Sequence, residues 1–121
     1  MANDFKRFNV TNATTSTGAS ADALYTIPAG AGSTALESIV IGITLANTGT
    51  AGVTASVFLD GYDGTDSYIV KDASIPAGSS LEVMSGNKIV LQHNGSAGDV
   101  IRVSCGTSNS LDATISVLED V

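Results

Sequence analysis

The residues able to do chemistry in this chain are few and scattered. There is one histidine, His93, and one cysteine, Cys105. A catalytic triad needs a base, and a lone histidine beside an Asn94-Gly95 turn reads as a solvated turn residue. No Gly-x-Ser-x-Gly elbow occurs. Cys105 alternates with Ile101 and Val103, so it is expected to point inward as a small hydrophobe, with Arg102 on the opposite face. One Cys and one His do not make a zinc site. Asp60, Asp63 and Asp66 sit three apart in a Gly-containing loop, with Asp72 beyond. Clustered carboxylates of this kind are weak candidates for calcium, although the spacing is not that of an EF-hand, and Asp and Gly are also ordinary turn residues. The reading is of a protein that is not an enzyme and carries no cofactor.

Composition points to binding and assembly. The chain has 121 residues, enough for one core without a disulfide or metal staple. Charged residues make up 14%, against about 25% in average domains, and small neutral residues fill the gap. Such a surface lets another surface approach closely at little desolvation cost. The formal net charge is −7 and the basic residues are dispersed, which argues against nucleic acid. No apolar run is long enough to span a membrane, and the first residues do not resemble a signal peptide, so synthesis in a cytoplasm is expected.

The elements that must position these residues follow a period of two. Ser38 to Asn47 is the longest case, with Ile39, Ile41, Ile43 and Leu45 predicted inside and Val40, Gly42, Thr44 and Ala46 outside. Val53, Ala55, Val57 and Leu59 repeat the pattern after the turn residues 47–52, and the two segments read as an antiparallel hairpin. Strands are also expected at Phe5 to Val10, Leu24 to Ile27, Tyr68 to Val70, Leu81 to Val83, residues 87–92, Val100 to Cys105 and Leu111 to Leu118. Ile27-Pro-Ala-Gly30 and Ile75-Pro-Ala-Gly78 read as corners, because proline ends a strand and glycine turns the chain. Eight or nine short strands with regular turn signals predict an all-β antiparallel sandwich, jelly-roll or Ig-like. Residues 1–22 form an N-terminal arm or a first strand plus loop, and residues 23–121 the sandwich domain.

Several stretches together carry a resemblance: Leu24-Tyr-Thr-Ile-Pro-Ala-Gly30, Leu45-Ala-Asn-Thr48, Ile75-Pro-Ala-Gly-Ser-Ser-Leu81, Lys88-Ile-Val-Leu91, Ala97-Gly-Asp-Val-Ile101 and Ala113-Thr-Ile-Ser-Val-Leu-Glu119. From about residue 23 onward the chain resembles the small β-sandwich virion structural proteins of tailed bacteriophages, cyanophages among them. The resemblance implies a virion protein assembled in the host cytoplasm. Its role would be capsid decoration or cement, or else a neck, tail or fibre-attachment accessory. Its partners would be the major capsid protein or other virion proteins and further copies of itself, a trimer first. In that role Phe5, Lys6, Arg7, Phe8 and Val10 are candidate partner-binding residues. The reading from another class is a carbohydrate- or receptor-binding module. Its site would lie on the loops Asp60 to Asp66 and Gln92 to Gly98, with Tyr62 as stacking residue.

Overall fold

Strand after strand, one face of each segment is apolar and the chain closes those faces against each other. The computed structural model describes residues 3–84 and 88–120. The strands are β1 (Asn3–Val10), β2 (Asp22–Thr26), β3 (Leu36–Asn47), β4 (Val53–Asp60), β5 (Ser67–Ile75), β6 (Ser80–Glu82), β7 (Ile89–His93), β8 (Val100–Cys105) and β9 (Leu111–Asp120). A single 3-10 turn, Gly18–Ser20, interrupts the loop between β1 and β2.

Among the described residues all pairing is antiparallel and forms two sheets. The five-stranded sheet runs β1-β9-β3-β6, with β7 also on β3. β6 pairs with Thr44 to Ala46 and β7 with Leu36 to Val40, so the two share one place beside β3. The four-stranded sheet runs β2-β8-β4-β5. Once β6 and β7 are counted as one place, this is the strand order of a jelly roll, in which the chain winds between two facing sheets. The core lies between them. Leu36, Val40, Ile43, Leu45, Leu91, Ile115 and Val117 meet Val57, Ile75, Ile101 and Val103, each almost wholly shielded from solvent. Cys105 lies in this core, where burial pushes its thiol above its ordinary pKa.

The expected corners are present. β5 ends at Ile75, β2 ends just before Ile27, and both isoleucines are buried. Gly78 has φ +74°, a conformation side chains resist.

Two expectations are corrected. The segments Ser38 to Asn47 and Val53 to Leu59 are not a hairpin, because β3 lies in one sheet and β4 in the other. A strand with one apolar face looks the same whether its neighbour is beside it or across the core. The turn decides. Asn47 is buried, its Nδ2 donates to the carbonyls of Ala51 and Ile75, and its Oδ1 accepts the Gly49 N–H. These bonds steer the chain across the sandwich. The second correction concerns the phase of β3. Val40 pairs with Val117 and Gly42 with Ser116, so Ile41 is an extra residue in a β-bulge. Before it Leu36, Ser38 and Val40 face the core, and after it Ile43, Leu45 and Asn47 do. Ile39 and Ile41 therefore face outward, not inward.

The N-terminal segment is the first strand of the domain. β1 pairs with β9 over its full length, from Asn3↔Asp120 to Val10↔Ala113. The loop after it is tied down too: Ala13 is buried and donates its N–H to the Leu111 carbonyl, and Cys105 N–H donates to the Thr14 carbonyl.

Candidate functional site

β1 divides the five candidate residues of the N-terminal segment between two faces. Lys6, Phe8 and Val10 are on the side of β9 that carries Val117, Ile115 and Ala113, which is the core side. Phe8 stacks on Tyr25 with ring centroids 5.1 Å apart. Val10 packs against the core. Lys6 reaches Glu119, a carboxylate only 1% exposed, with Nζ 2.9 Å from Oε1. The ammonium meets that oxygen as an ion pair rather than a well-angled hydrogen bond, and Oε1 has no other partner among the described residues. The other oxygen accepts the Tyr25 hydroxyl at 2.6 Å. With its single proton given there, the phenol accepts from Ser38, whose Oγ lies 3.3 Å away. Three of the five residues thus serve the fold.

This buried group gives the domain an alkaline limit. Burial, and then the hydrogen bond to Glu119, push the Tyr25 phenol far above its ordinary value of 10.0. The contact with Glu119, and then its charge, raise the Lys6 ammonium. Both groups have folded values above their unfolded ones, so their stabilisation is complete below the unfolded values and is lost as pH climbs past about 10. The melting midpoint is expected to hold steady up to about pH 9 and fall above 10. A tyrosinate absorbance titration should show one phenol lagging, and Tyr25→Phe should abolish that lag. A melting midpoint flat to pH 12 would contradict the assignment.

Phe5 and Arg7 are on the outer face. There the pairing register lines up a row that no single strand reveals. Phe5 pairs with Leu118, Leu118 with Ile39, and Ile39 with Val90. The row crosses β1, β9, β3 and β7. Phe5 is 78% exposed, Val90 56% and the bulged Ile41 41%. Alongside, Ser116 and Thr114 on β9 and Gly42, Thr44 and Ala46 on β3 make a small, neutral middle. Charge stands around it, with Arg7 toward one edge, Glu82 on the other, where it accepts from Thr44 Oγ1 at 3.0 Å, and Glu37 and Asp112 near the strand ends. The opposite sheet is different. Its outer face carries the Arg102–Asp60 ion pair at 2.9 Å, and Phe58 and Tyr68 cover each other there with centroids 5.0 Å apart. Leu118, Ile39, Ile41 and Val90 were not among the residues singled out from sequence. Leu118 falls on the outward phase of Leu111 to Leu118, Val90 is masked by the unbroken apolar run Ile89-Val90-Leu91, and Ile39 and Ile41 were hidden by the phase error.

The acidic loop does not gather its carboxylates. Asp60 Oδ2 is held by Arg102 Nε, Asp63 Oδ1 accepts the Thr65 N–H, and Asp66 Oδ1 accepts the Gly61 N–H. Each closes the loop or neutralises a cation, and no group of three possible metal ligands comes together among the described residues. Asp72 has φ +51° and its N–H donates to Ser56 Oγ, so it shapes a bulge in β5.

Tyr62 does meet the loop it was paired with in sequence. It lines a cleft of ≈ 480 Å³ together with Leu36 and Glu37 at the start of β3 and Gln92, His93 and Asn94 at the end of β7. Asp99, buried, fastens the two sides: its Oδ1 accepts the Tyr62 N–H and its Oδ2 the Gln92 N–H, both at 2.9 Å. His93 is held as well, since its Nδ1 accepts the Gly95 N–H. No protein-family model matches the chain, and no curated protein matches it either.

Proposed function

We propose that the chain is a structural subunit of a tailed-bacteriophage particle, a capsid decoration or cement protein that docks through the outer face of its five-stranded sheet. The observation that carries this reading is the exposed row Phe5, Leu118, Ile39 and Val90 beside a charge-free middle. Exposed apolar area gathered in one patch marks a surface that is covered in use. Four strand places at about 4.8 Å spacing and about 25 Å of length give a flat area of roughly 500 Å². That is below the ~800 Å² per partner of a standard stable interface. One such contact is weak, and a set of symmetric copies across shell seams is strong, because the copies must release together. A low-charge jelly roll without a reactive group fits that use. The trimer, the partnership with the major capsid protein and the virion location rest on the resemblance. A neck, tail or fibre-attachment position uses the same surface chemistry, and copy number per particle separates the two.

The test is addition of purified protein to shells assembled from the cognate major capsid protein. Phe5→Ser combined with Val90→Lys should reduce shell binding at least tenfold, about 1.4 kcal/mol, with little change in melting, because both side chains are exposed. A wild-type chain that stays monomeric and ignores shells and other virion proteins would sink the proposal.

A further inference from the structure

We infer that the cleft between the start of β3, the end of β7 and the β4–β5 loop is a binding site for a neutral hexose-type glycan. Its volume of ≈ 480 Å³ suits a small ligand. Its lining mixes the two things a sugar needs. Tyr62 supplies aromatic surface for the C–H face of a pyranose. Gln92, Asn94 and Glu37 supply planar groups whose paired atoms match neighbouring hydroxyls. His93 has its Nδ1 engaged by Gly95, so the neutral ring carries its proton on Nε2 as a further donor.

The charge of the lining sets the ligand class. Among the described residues that line it, Glu37 is the only formal charge and none is Lys or Arg. Phosphate, sialic acid and uronate would meet like charge and find no cation. A neutral glycan meets no such conflict.

The site is also held in shape before any ligand arrives. Asp99 fixes Tyr62 and Gln92 through their backbone N–H groups, which leaves both side chains free for other contacts. A Cβ on Gly98 would stand 2.5 Å from His93 Cδ2 and 2.7 Å from Ile27 Cγ2, so the turn closes tightly against the ring. A Cβ on Gly95 would stand 2.7 Å from the Ser33 carbonyl oxygen, so the same turn rests on the β2–β3 loop. Preorganised walls reduce the ordering cost that makes sugar binding weak. Many copies on one particle would raise weak single-site affinity to useful avidity. The inference does not depend on shell docking, because the cleft is complete within one chain.

The experiment is a glycan array bearing neutral and anionic structures, followed by calorimetric or NMR titration with methyl hexosides to high millimolar concentration. Binding to one neutral class is expected. Tyr62→Ala and Gln92→Ala should each weaken it about tenfold or more while the melting midpoint stays within a few degrees of wild type. The Phe5→Ser/Val90→Lys protein should bind as wild type does, which separates this site from the docking face. Failure of every neutral glycan and hexoside, signal confined to sialylated or sulfated glycans, or binding untouched by both cleft substitutions would each overturn the inference.

Discussion

A chain lacking its first ten residues is expected not to fold. β1 is hydrogen-bonded along β9 from Asn3↔Asp120 to Val10↔Ala113. β9 carries Leu111, Ala113, Ile115 and Val117, all essentially buried. Removing β1 opens the polar edge of a strand at the centre of the core. It uncovers the Tyr25 ring by taking Phe8 away, and it strips Glu119 of its cation. Each lost ladder bond costs about 1 kcal/mol. A buried carboxylate without its partner costs about 3–5 kcal/mol. Together these approach the whole stability of a small domain, about 5–15 kcal/mol. Far-ultraviolet circular dichroism and a thermal melt decide the matter. A shortened chain that melts cooperatively near the parental midpoint would show β1 to be an appendage, and the description of it as a founding strand would be wrong.

The second large effect concerns one side chain. Lys6→Met is expected to lower the melting midpoint at neutral pH by roughly 10 °C. Glu119 is 1% exposed and would be left charged with the Tyr25 hydroxyl as its remaining partner. The drop is smaller than for a fully buried pair because the Lys6 side chain is itself 44% exposed, so water can reach part of the gap. Methionine keeps most of the stem's packing, which isolates the charge. The sign with pH follows. A stranded carboxylate costs stability only while it is ionised, so the deficit seen at neutral pH shrinks in acid. Paired melts at pH 7 and pH 4 read this directly. An equal deficit at both values would mean that lost packing, not stranded charge, is the cause.

Much of the architecture was legible because it is local. Alternation along Val53 to Leu59 and Leu111 to Leu118, proline corners at Pro28 and Pro76, and the inward Cys105 each depend on neighbours in sequence. The meeting of Tyr62 with Gln92, His93 and Asn94 was legible too, as two loops proposed for one site. What stayed hidden is set by pairing between distant segments. The row from Phe5 to Val90 exists only once β1, β9, β3 and β7 are in register. Glu119 reads in sequence as an ordinary polar end to a strand, and nothing nearby shows that Lys6 and Tyr25 converge on it. The phase of β3 was misread for a related reason, since alternation carries no mark where it skips a beat.

That skipped beat adds to the protein's exterior without rearranging what flanks it. Ile41 is one residue too many for its partner strand, and it shifts the count of inward positions by one between the Leu36 side and the Leu45 side. Loss of Ile41 alone would restore plain alternation, with Val40 still facing the core opposite Val117 and Gly42 still facing out opposite Ser116. The bulge therefore adds one outward isoleucine to that face without changing which side chains on either side of it reach the core.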